Sequence, residues 1–162
     1  MYKTLGMALG WLLLSLPQAA DVSAKHHGIK PFVHDQYTSR DDKVLVLEFT
    51  ASDCSYCLVL EEEVLRPYLL SGDLHDKMRL RSVEAHGTSA NYAFNDGKLL
   101  TGKQLGEHYG VRYTPTLVFL DSNGRQLAEP LHGVSNLEFY GYYLTQRVNE
   151  AYANLTELAN AN

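Results

Sequence analysis

The chain predicts an α/β fold: a three-layer α/β/α sandwich with a central mixed sheet around one core. Three observations carry this. Apolar, β-branched runs at 43–50 and 116–120 read as buried strands. Segments of helical periodicity alternate with the strands, which is the pattern of a sheet covered on both faces. A turn at "DSNG", 121–124, folds the last two strands back on each other and adds antiparallel pairing at one side.

The elements follow in order. Residues 25–42 are polar and mixed, and read as a leader with little regular structure. "KVLVLEFT", 43–50, is a strand with Glu48 embedded among apolar neighbours. From about Cys54 the pattern turns helical: Leu58 and Leu65 recur at helical spacing, and "EEE" at 61–63 marks a solvated face. Pro67 ends or kinks this helix. "KMRLRSVEA", 77–85, alternates as a second strand. The stretch 86–100 is turn-rich, and Asp96–Gly97 predicts a tight hairpin. Thr101 and Gln104 form a capping-box pattern that opens a short helix to Tyr109, stopped by Gly110. "TLVFL", 116–120, is a strand and "RQLAE", 125–129, an edge strand. Ser135 and Glu138 form a second capping-box pattern, opening a long, tyrosine-rich final helix.

The 162 residues fit one domain. A formal net charge of -5 gives no basic surface for nucleic acid. The N-terminus stands apart. Lys3 precedes the uncharged run "LGMALGWLLLSL", 5–16, and small residues follow in "PQAADVSA". A basic start, a short apolar run and small residues read as a secretory signal peptide, residues 1–24, with cleavage after Ala24. The expected mature domain is 25–162. Its expected location is an exported, oxidising compartment, the bacterial periplasm, where disulfides persist.

The only two cysteines are Cys54 and Cys57, in "DCSYC". As a structural staple they would close a tiny loop and contribute little. As metal ligands they supply half of a four-ligand set, and His86, His108 and His132 lie scattered along the chain without partner spacing; no metal is expected. A redox pair fits best. The pair stands where a strand becomes a helix, and the free N–H groups and partial positive charge of a first helical turn favour a thiolate at Cys54. Cys57, one turn on, is within reach of a mixed disulfide formed at Cys54. Glu48, six residues before Cys54, is costly in an apolar strand unless it has a task; a raised pKa would let it take a proton from Cys57. Thr114–Pro115 stands just before a strand, where proline removes a ladder donor and can adopt cis.

"VLVLEFTASDCSYC" followed by "YGVRYTPTLVFLDSNGRQL" resembles the thioredoxin superfamily over about 43–148, and within it the exported thioredoxin-like proteins of the SoxW type. The resemblance implies a thiol-disulfide oxidoreductase. Cys54 would be the exposed nucleophile and Cys57 its buried partner. Glu48 would be the buried acid, and Pro115 a cis-proline facing the disulfide. Thr114 would offer its backbone to an extended substrate, with Ser55 and Tyr56 completing the contact set. No cofactor beyond the redox-active Cys54–Cys57 disulfide is implied. The chain departs from thioredoxins in having Asp53 before the first cysteine and Ser55-Tyr56 between the two. It is similar in places to the oxidant DsbA and to the disulfide isomerases, but lacks room for the insertion of the one or the dimerisation domain of the others. Acidic residues near the pair, Asp53, Glu48 and 61–63, oppose the thiolate and favour a reductase of protein disulfides. Such a reductase needs a membrane thiol donor of the DsbD type, as the family implies. The alternatives are an oxidant or isomerase of the same fold, a peptide-binding module using the tyrosines near the C-terminus, and a metal carrier.

Overall fold

The computed structural model describes residues 29–32, 42–88, 92 and 100–161. Strand β1 (Val44–Thr50) leads into α1 (Ser55–Leu60), a π-helical turn (Glu61–Leu65) and α2 (Arg66–Ser71). There follow β2 (Met78–Glu84), α3 (Gly102–His108), β3 (Thr116–Leu120), β4 (Gln126–His132) and α4 (Leu137–Asn160). The sheet order is β2-β1-β3-β4. β1 runs parallel to β2 and antiparallel to β3, so the sheet is mixed, as expected from the sequence.

β1 lies between two strands, and all seven of its residues are buried. Its side chains alternate between the two faces. Val44 and Val46 pack with Leu60, Val64 and Leu65 from the helix after β1, and with Tyr140, Leu144, Val148 and Ala151 of α4. The α4 residues recur every three or four positions, one apolar stripe of a helix. Leu45, Leu47 and Phe49 face the other way, onto Leu105 and Tyr109 at α3. The two clusters are the two halves of a three-layer core.

Several local expectations are corrected. The segment 25–42 is not wholly a leader: Ile29 and Phe32 are buried, and Pro31 bridges Ser82 in parallel beside β2. Pro67 does not end the helix, which runs on to Ser71 and stops at Gly72 in the left-handed region. The turn before it is π-helical, with the Arg66 N–H reaching the Glu61 carbonyl. That wider turn accommodates a residue with no N–H and a bulky ring. The cap of α4 is Asn136, whose side chain accepts from the Phe139 N–H at 3.4 Å, one residue later than Ser135. The predicted box at Thr101 and Gln104 is present in full. Tyr92 and Leu100 exchange two backbone hydrogen bonds of 2.7 Å. The Asp96–Gly97 turn, like the segment 1–24, lies outside the described residues.

α3 is seated by a close approach at its first residue. A Cβ on Gly102 would overlap the Glu84 carbonyl oxygen at the end of β2. Gly102→Ala must therefore shift backbone against backbone, and a loss of about 1–3 kcal/mol in urea-denaturation stability is expected. Wild-type stability in this variant would contradict the packing.

Candidate active site

The site grows from one end of the sheet. Phe49 of β1 pairs with Thr116 of β3 in antiparallel register. The chain leaving β1 and the chain entering β3 therefore meet at the same edge of the sheet. The first carries Cys54 and Cys57, the second Tyr113, Thr114 and Pro115.

Cys54 is the N-cap of α1, and its sulfur accepts from the Cys57 N–H at 3.1 Å. The two sulfurs are bonded, with the Cα atoms 5.3 Å apart. Cys57 is buried and Cys54 only half-buried. The first helical turn carries no acidic residue to offset its partial positive charge. A sulfur at Cys54, once released as thiolate, thus meets solvent and a peptide N–H donor, while Cys57 is shielded. Ser55 and Tyr56 are exposed beside it.

The Thr114–Pro115 peptide bond is cis. Pro115 is buried and its carbonyl accepts from the Gly133 N–H at 2.8 Å. Thr116 fixes the approach to it: its hydroxyl donates to the Tyr113 carbonyl at 2.8 Å and lies 3.3 Å from His132 Nδ1. Tyr113 stays exposed, its ring 5.7 Å from that of His132.

Glu48 is fully buried, and neither carboxyl oxygen has a hydrogen-bond partner among the described residues. It shares its sheet face with Val44 and Val46, the face covered by α1 and α4. Burial raises its pKa well above the ordinary carboxylate range, and the carboxyl of Glu61 raises it further. Tyr140 of α4, buried with its hydroxyl unsatisfied, is raised too, first by burial and then by Glu48.

These facts correct the reading of the whole run 61–63 as a solvated face. Glu62 and Glu63 are exposed, and Glu62 pairs with Arg66 at 3.2 Å. Glu61 is buried. It falls on the stripe 57, 60, 61, 64, 65, the inward face of the helix, so helical spacing from Cys57 was the signal that marked it. Glu48, holding its proton beyond the ordinary range, adds less negative charge than its type implies. The C-terminal tyrosines divide: Tyr140 is core, while Tyr142 and Tyr143 are exposed.

Among known proteins, the profile of the family described as "Thioredoxin-like domain" matches residues 34–141. No curated protein matches the chain. Among solved structures, a thioredoxin of Malassezia sympodialis is 21% identical with a TM-score of 0.50, over 74% of this chain and 90% of that one. The germline thioredoxin Deadhead of Drosophila melanogaster is 23% identical at TM-score 0.49, over 69% and 88%. An exposed lipoprotein thioredoxin of Streptococcus pneumoniae is 23% identical at TM-score 0.48, over 70% and 89%. At 21% identity the likeness to the Malassezia protein is one of fold.

Glu48 sets a pH dependence whose sign is fixed. Its pKa is raised on folding, so the native state holds a proton that the unfolded chain releases. Stability therefore falls as pH rises above the ordinary carboxylate pKa, by at most about 1.4 kcal/mol per pH unit, until the raised native pKa is passed. Glu48→Gln removes this loss. Denaturation of oxidised protein across pH is expected to give a flatter profile for the variant than for wild type; parallel profiles would refute the assignment.

Proposed function

Because the chain belongs to the thioredoxin-like domain family, we propose that it is an exported thiol-disulfide oxidoreductase of the SoxW type that reduces disulfides in protein substrates of the periplasm. The thioredoxin-like fold with its Cys54–Cys57 disulfide supports thiol-disulfide oxidoreductase chemistry. The observation that carries the reading is the asymmetry of the pair: a half-buried sulfur capping a helix and a buried one a turn behind it.

The steps balance as follows. In the dithiol form, the Cys54 thiolate attacks one sulfur of a substrate disulfide. A Cys54–substrate bond forms and the second substrate sulfur leaves as a thiolate. Cys57 then gives its proton to a base, and its thiolate attacks the Cys54 sulfur. The Cys54–Cys57 bond forms, and the first substrate sulfur is released. Two electrons have passed to the substrate. Glu48 is the base in this reading: it faces the layer that holds the Cys57 helix, and burial raises its pKa above the ordinary carboxylate range, which makes it a stronger base. In this reading an extended substrate chain is contacted by Thr114 and Pro115 and by the exposed Ser55 and Tyr56. A membrane dithiol donor of the DsbD type returns the two electrons.

The direction rests on what surrounds Cys54. The inserted pair is Ser55-Tyr56, so no lysine, arginine or histidine sits inside the Cys54–Cys57 motif itself, and the exposed Asp53 precedes it. A less stabilised thiolate makes the disulfide a weaker oxidant. The signal-peptide pattern at 1–24 supports export. Cys57→Ser is expected to accumulate mixed disulfides with periplasmic proteins in extracts, and Cys54→Ser to accumulate none, on non-reducing gels. Equal trapping by both variants would overturn the roles of the two cysteines.

A further inference from the structure

We propose that a cavity beside Thr114 is a subsite for an acidic side chain of the substrate polypeptide, which makes this protein selective for disulfides flanked by glutamate or aspartate. The inference rests on the oxidoreductase reading above and names its substrate class. The cavity holds about 180 Å³ and opens to solvent. It lies where β2 ends, between the residues after that strand, α3 and the chain entering β3. The carboxyl ends of the parallel pair β1 and β2 open at this edge, which is the usual place for ligands in α/β sheets. Thr114, the candidate backbone contact for substrate, forms part of its wall. A peptide lying along Thr114 thus passes the mouth of the cavity.

Its charge runs against that of the whole chain. The protein carries a formal charge of -5, yet among the described residues the wall bears Lys103 and Arg112, with His86, against one acid, Glu107. Among the described residues, Lys103 and Arg112 make no side-chain hydrogen bond or ion pair. Arg112 and Tyr113 also border a neighbouring cavity of about 290 Å³ with His132, so the basic lining continues along the same loop. Cations without partners among the described residues, around a concave and mostly apolar pocket next to the substrate edge, fit a carboxylate carried on a short stem. Arg112 can hold it in bidentate fashion and Lys103 as a point charge. The same field steers acidic partners toward the cysteines.

The test uses the reduced full-length protein and two disulfide-linked peptides, identical except for Glu or Gln beside the cysteine. Wild type is expected to give a kcat/KM about three- to tenfold higher for the Glu peptide, a preference that shrinks in high salt. Lys103→Gln and Arg112→Gln, measured separately, are each expected to reduce that ratio. Lys30→Gln, which removes the same charge from an exposed position outside the cavity, keeps it. Equal rates for the two peptides in wild type would overturn the subsite and leave the reductase reading standing. An unchanged preference in both cavity variants would move the recognition elsewhere. Reduction of neither peptide would overturn the reductase reading, and this inference with it.

Discussion

The structure depends on one constraint: β1 is a strand with neighbours on both edges and helices on both faces. No side chain on such a strand reaches water, so every residue on it must be apolar or have a reason to be there. Six of its seven residues are aliphatic, aromatic or threonine. The seventh is Glu48. The same central position fixes the site, because the antiparallel pairing of β1 with β3 brings the end of one and the start of the other to a single edge. The cysteine pair and the cis-proline loop meet there because the sheet leaves them nowhere else to emerge.

The buried carboxyl and the half-buried sulfur belong to one arrangement. Burial holds the proton on Glu48 beyond its ordinary range, and a second buried carboxyl, Glu61, reinforces this. Glu61 stands one turn beyond Cys57 on the inward face of the same helix. A carboxyl whose pKa is raised by burial binds a proton more readily than an exposed one, which is the property the proposed base role uses. Burying two acids in one core is costly, so their presence there is hard to explain by stability alone. At the front of the site, the N-terminus of α1 does the complementary work on Cys54 through a peptide N–H and the helix field.

Much of this was legible in the residues. The runs at 43–50 and 116–120 stood out because central strands must be apolar throughout, and the caps at Thr101 and the turn at Asp121–Gly124 because their chemistry is local. Cys54 and Cys57 were visible as a pair at a strand-to-helix junction. What stayed hidden depends on the third dimension. Three consecutive glutamates look like a solvated face, and the helical spacing from Cys57 that sets Glu61 inward is outweighed, in the residues alone, by its charge; Glu62 and Glu63 stay wet. Pro67 looks like a terminator, but the π-helical turn ahead of it lets the helix continue. Ile29 and Phe32 sit in a polar stretch, and their burial follows from a bridge to Ser82 that no local pattern encodes. The basic cavity joins residues from three separate segments, so it has no signature in the order of the chain.

The central claim is that Cys54 and Cys57 form a redox couple tuned to give electrons rather than take them. Its most direct test is the reduction potential of that couple, measured by equilibration in dithiothreitol and glutathione buffers. A value nearer the ~-270 mV of thioredoxin than the ~-120 mV of DsbA is expected. A value at the DsbA end would contradict the claim, because a disulfide that oxidising cannot serve as a reductase.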